Sequence, residues 1–370
     1  VRFQLNPGEE YNDVIIHIRL LDRENILQQE IIGKLGVNLL YGCYHLHHSP
    51  ESILKHMNDG LIPGRMQIDM VSMKGPLFKN VDNRLLSLWL VKNKMADAVM
   101  FQPDGKPIHP TEVLYKKEIL AMRGRFRPVT KVHLDMLKNG MKQFEKDDRV
   151  KNKKRITVIT ELTLKDLSGE EGIDEKDFLD RVDILTALGQ TVLVSNFQEY
   201  YKLVQYLTRY NTGAQLALVL GANSLINVFN ERFYKKLNGG LMEAFGYLFH
   251  KDVRLYLYPY KFEDEVIKAD NMIIPEKYEE LYSFLKSSNK IVDYENYDKE
   301  NLHIFSHKVL EKITEGNTAW EKMVPPIVAR IIKENNFFNY RKKLKEKSCR
   351  FPFCMIRFGQ WEVEIDLPLL

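Results

Sequence analysis

The chain has 370 residues, a net charge of +4, 44% hydrophobic and 28% charged side chains, and three cysteines. That length predicts two domains or one large α/β domain with additions, and the balance is ordinary for a globular chain. Apolar runs fall short of the roughly 18–20 residues of a membrane span. Cys43, Cys349 and Cys354 are too scattered for a disulfide framework, so the expected compartment is reducing and cytoplasmic. The slight basic excess gives no ground for a nucleic-acid partner, and no basic stretch followed by an apolar one opens the chain as a leader would.

"YNDVIIHIRLLD" (11–22) predicts a buried strand rich in Val and Ile, with Asp22 placed to cap the next helix. Ile26, Leu27, Ile31, Leu35 and Leu39 recur at helical spacing over 24–46. Ser49, Pro50 and Glu51 open a further helix that closes at Gly60. A strand over 65–73, a helix over 81–94 and a strand running into a turn over 96–105 follow. "HPTEVLYKK" predicts one or two helical turns, "EILAMRG" a strand, and 132–146 a helix. The highly charged "KDDRVKNKKR" (146–155) marks a domain boundary. Beyond it, strands such as "RITVITELTL", "QTVLVSN", "QLALVLG" and "VRLYLYPY" alternate with helices, the pattern of βαβ units and a parallel sheet. Residues 275–345 predict mostly helix, and Trp361, Val363, Ile365 and Leu367 alternate in a terminal edge strand or docking tail. The expected fold is α/β, with mainly parallel sheets, flanking helices and a helical C-terminal region. It divides into an α/β lobe with an Arg-rich segment over 1–150, a βαβ Rossmann-like lobe over 151–275, and a mostly helical region over 276–370.

In a parallel sheet, ligands bind beyond the carboxyl ends of the strands. The residues there are Ser195 and Asn196, then Gly221, Asn223 and Ser224, with Gly239 and Gly240 before another helix. Such turns leave N–H groups open to anions, or simply cap helices and make turns. None matches GxGxxG or GxxxxGK[ST]. Arg123, Arg125, Arg127 and Lys131 form the densest basic stretch, where arginines two apart on an extended segment either share an anion or, as a solvated loop, pair with carboxylates nearby. Asp69 interrupts an apolar strand and either pairs with an arginine or handles protons, and Glu10 is a second candidate for that work. Cys43, His45, His47 and His48 cluster, but at helical spacing they split between two faces, and no metal is assigned. His303 and His307 form a second pair, four apart.

"NPGEEYNDVIIHIRLLD", "IIGKLGVNLLYG", "VDNRLLSLWLV", "RGRFRPVTKVHLDML" and "FQEYYKLVQYLTRYNTGAQLALVLG" together resemble a widespread family of bacterial soluble α/β proteins, over residues 6 to 335. Its members carry labels such as nicotinate-nucleotide adenylyltransferase or TonB-dependent receptor. This sequence shows neither the HxGH-like motif of such an adenylyltransferase nor the many amphipathic strands of an outer-membrane receptor. The function expected is binding of a small anionic or phosphorylated ligand, with Asp69 or Glu10 moving protons if the protein is an enzyme; the cofactor is left open. The alternative is a non-catalytic assembly protein that docks a partner through the tyrosine-rich "EYYKLVQYLTRY" or the terminal tail. Neither reading calls for a membrane, and a homo-oligomer stays open.

Overall fold

The computed structural model describes residues 1–21, 28–62, 64–151, 153–169, 172–211 and 213–340. Asp22, Ile26, Leu27, Cys349, Cys354 and the alternating tail from 351 lie outside the described residues.

The chain begins with a three-stranded antiparallel sheet of β1 (Arg2–Phe3), β2 (Asn12–Leu20) and β3 (Met66–Lys74). Between β2 and β3 run α1 (Gln28–His45) and α2 (Pro50–His56). Pro50 opens α2, where its missing N–H loses nothing. Gly42 lets α2 approach α1, since a Cβ there would lie 3.0 Å from Cγ2 of Ile53. β2 is not the buried strand its composition predicts. Ile15 stays 43% exposed, because this antiparallel sheet covers only one of its faces.

α3 (Asn83–Lys92) starts at Asp82, whose carboxylate accepts the Arg84 N–H. β4 (Ala98–Phe101), β5 (Pro107–Ile108), α4 (Pro110–Leu114), β6 (Glu118–Arg123), α5 (Lys131–Lys146) and β7 (Ile156–Thr163) follow. Next come α6 (Leu164–Leu167), the small hairpin β8 (Ser168–Gly169) and β9 (Gly172–Ile173), α7 (Glu175–Ala187), β10 (Thr191–Ser195) and α8 (Tyr200–Tyr210). β11 (Leu216–Gly221), α9 (Ala222–Val228), α10 (Gly240–Leu248) and β12 (Arg254–Tyr258) lead to a hairpin of β13 (Tyr260–Phe262) and β14 (Glu265–Ile267). α11 (Glu279–Ser287), β15 (Ile291–Asp293), α12 (Ser306–Thr314) and α13 (Pro326–Asn335) complete the regular elements.

Eight strands form one sheet in the order β15-β12-β11-β6-β7-β10-β4-β5. The first six are parallel, and β4 and β5 add an antiparallel edge. Taken by chain position, the parallel strands lie third, second, first, fourth, fifth, sixth across the sheet. This is the order of doubly wound dinucleotide-binding folds, and its direction reverses between β6 and β11. Alternate side chains feed a core on each face: Leu120, Leu162 and Val219 on one, Ile119, Ile159 and Leu218 on the other. Helix α5 crosses close over β11 at Gly140, where an added Cβ would come within 3.3 Å of Val219 Cγ2 and run into the Tyr294 hydroxyl.

Two expectations change here. The sixth parallel strand, β15, sits inside the region read as mostly helical, because "IVD" is too short to show a period. The charged run 146–155 does not separate two sheets: β6 precedes it, β7 follows it, and the two strands pair directly. Asp147 and Arg149 within it are tied into the structure. The Asp147 carboxylate accepts from Arg149 Nε at 2.9 Å, Arg254 Nη1 at 3.0 Å and the Tyr256 hydroxyl at 3.1 Å, and Val150 is buried. Among the described residues, no helix is long and apolar enough to cross a membrane.

Candidate functional site

A cleft of about 600 Å³ opens over the carboxyl ends of β7, β6, β11 and β12, where the strand order reverses. Arg123 ends β6 before Gly124, Thr163 ends β7 before Lys165, and Gly221 ends β11 before Asn223 and Ser224. Thr130 and His133 enter from the start of α5, and Ser306 and His307 from the start of α12. Tyr200, Phe233 and Tyr258 add aromatic walls. A helix N-terminus carries partial positive charge, so α5, sixteen residues long, favours an anion at this end.

The arginines do not share one anion. Phe126 is buried with φ 48°, so the segment turns rather than staying extended, and the three side chains part to three carboxylates. Arg123 donates to both oxygens of Glu161, at 2.7 and 2.9 Å, and to the Gln198 carbonyl at 3.0 Å, with its guanidinium 4.6 Å from the Tyr200 ring centre. Arg125 reaches Asp166 at 3.2 Å and remains 75% exposed on the cleft rim. Arg127 pairs with Asp177 and does not line the cleft. Lys131 is also outside it, its N–H spent on the Met323 carbonyl.

Of the turn residues, Gly221, Asn223 and Ser224 reach the cleft. Ser195 is fully buried and gives its hydroxyl proton to Glu161 Oε1 at 2.6 Å, so it serves the Arg123–Glu161 pair. Asn196 lines a neighbouring groove. Gly239 and Gly240 stand apart, and Glu243 of their own helix already accepts the Gly239 N–H at 2.8 Å, taking the place an anion would have. Asp69 is buried in the N-terminal sheet, 3.0 Å from Arg19 Nε, and does not line the cleft. Glu10 is exposed in the loop before β2, also away from it. The proton-handling roles expected of Asp69 and Glu10 therefore have no place at this site.

Cys43 is buried, and burial pushes its thiol up to about 11. Among the described residues, no group of three His, Cys, Asp or Glu side chains is arranged to hold a metal ion. His307 lies in α12 whereas His303 lies in the turn before it, so they are not one helical pair. The tyrosine-rich face of α8 is core rather than docking surface, with Tyr201 and Tyr206 both buried.

His133 was not singled out from the sequence, although Thr130 three residues earlier is a legible helix cap. The Thr130 N–H donates to Nδ1 of His133 at 2.9 Å, so the neutral ring carries its proton on Nε2. Burial pushes this imidazole down to about 4. The folded protein then refuses a proton that the unfolded chain accepts near 6.5. Stability from this group is therefore full above pH 6.5, declines as pH falls towards about 4, and changes no further below that. Urea midpoints from pH 7 to 4 should show this slope in the parent and a shallower one in His133→Gln.

Fold and cleft together define a doubly wound α/β protein with an open crevice at its switch point. No family model matches the sequence, and no curated protein matches it. Among solved structures, the chain is similar to the nicotinic acid mononucleotide adenylyltransferase of Plasmodium falciparum, in complexes with APC and with NaAD. Each comparison gives 14% identity and a TM-score of 0.39, covering 61% of this chain and 98% of that one.

Proposed function

We propose that the switch-point cleft binds a phosphorylated small molecule of nucleotide type. The observation that carries this reading is the position of the cleft, at the one reversal of strand order in the parallel sheet. Its chemistry supports the class of ligand. Lys165 has no carboxylate partner among the described residues and lies 5.2 Å from the Phe233 ring centre. Arg125 is held at one edge only and can swing its free nitrogens inward. The α5 terminus adds its partial positive charge and the His133 Nε2 proton a donor, and the aromatic walls suit a flat base.

Calorimetry and thermal unfolding with ATP, NAD and inorganic phosphate test the reading. A nucleoside phosphate should stabilise the protein more than phosphate alone. Arg125→Ala and Lys165→Ala should each weaken binding about tenfold, the loss of one charged hydrogen bond of about 1.5 kcal/mol. Lys131→Ala should leave it unchanged. Absence of any shift at millimolar ligand would sink the proposal.

A further inference from the structure

Beside the cleft lies a broader groove of about 1120 Å³, and Thr163, Lys165, Gln198, Glu199 and Phe233 line both. Eight Lys and Arg side chains face this groove against two acids, Asp97 and Glu199. The chain as a whole carries a net charge of only +4, so six excess cations on one groove are a local imbalance.

The cations come from segments far apart in the sequence. Lys92 and Lys94 stand at the end of α3, and Lys202 and Arg209 on α8. Arg232, Lys235 and Lys236 come from the turn between α9 and α10, and Lys165 from α6. Only Lys202 has a carboxylate partner, Glu199 at 2.9 Å; the other seven have none among the described residues. Lys92, Lys94, Arg209, Arg232, Lys235 and Lys236 are all exposed. A surface cation is usually tolerated near others only where counter-ions screen it, and a row of them along a concavity holds those ions in place. Their release is what drives binding of a polyanion.

We propose that this groove binds the backbone of single-stranded nucleic acid. A strand supplies one negative charge per nucleotide along a line, which unpaired lysines match as point charges. The half-buried Phe233 ring at the junction gives a base a face to stack on, which an acidic peptide would leave unused. A concave track suits a flexible strand better than a rigid duplex. The proposal rests on the groove's own cations and not on the cleft reading, and a ligand in the cleft would compete for the shared Lys165 and Phe233.

The test is fluorescence anisotropy of the full chain with a 12-residue fluorescein-labelled oligouridylate and an equally long polyglutamate. The expected result is oligonucleotide binding at 50 mM salt, with polyglutamate at least tenfold weaker. Engaging four phosphates should give a slope of log K against log salt of about −3, roughly a fiftyfold loss at 200 mM. Lys92→Glu combined with Lys235→Glu and Lys236→Glu should weaken binding more than tenfold with the melting temperature unchanged. Lack of binding at 50 mM salt, equal binding of polyglutamate, or full binding by the triple variant would each overturn the proposal.

Discussion

Glu161→Ala is expected to destabilise the protein by about 3–5 kcal/mol, read as a fall in the urea midpoint at pH 7. Glu161 has no exposed surface, and it holds Arg123, whose side chain is only 8% exposed. Removing the carboxylate leaves a largely buried guanidinium with, among the described residues, only the Gln198 carbonyl as acceptor. The pair itself adds little net stability, because both charges gave up water to form it. Arg123→Met combined with Glu161→Met should therefore recover most of the loss. Ser195→Ala removes only the hydroxyl donated to Glu161 and should cost about 0.5–1.5 kcal/mol. If Glu161→Ala and the double methionine variant unfold at the same urea concentration, the buried-charge account fails.

Asp147→Asn should cost about 1.5–3 kcal/mol at pH 7, less than the first change because Arg149 and Arg254 keep some contact with water. Burial pushes the Asp147 carboxyl up, but the hydrogen bonds and charges of Arg149 and Arg254 outweigh that and hold it well below the usual carboxylate range. The folded state therefore refuses a proton that the unfolded chain takes up near 3.8. The stabilisation is fully present above that pH and is lost as pH falls further into the acid range. Denaturation curves from pH 6 to 3 should show parent and variant converging as acid is added. A gap that stays constant over that range would refute the assignment.

Most elements were legible because their side chains repeat at 3.6 or 2 residues, as in 131–146 and 156–163. The turn after β11 was legible as a strand-to-helix junction, but its place on the cleft was not, because the same residue types after β10 and before α10 lie away from it. What stayed hidden depends on pairings that no local pattern encodes. The sequence leaves Arg123 as readable for an ion pair as for an anion site, and its partner Glu161 lies thirty-eight residues on, beyond any local pattern. Lys92 and Lys236 have no visible relation in sequence, yet they border one groove. The run 146–155 looked like a linker because charge usually means solvent, and one of its two carboxylates, Asp147, is buried between two arginines.

The interleaving of the central sheet also governs when the protein can become itself during synthesis. Glu118–Arg123 is made early, but its partner on one side, Leu216–Gly221, emerges much later, and Ala98–Phe101 must wait for Thr191–Ser195. Until then the apolar "EILAMR" is an open strand edge, the kind of surface that recruits stray chains or calls for a chaperone. The crevice beside that strand takes its walls from both ends of this timetable, Arg123 from the early part and Ser306 from the late one. A chain cut short between them would carry the arginine and no crevice.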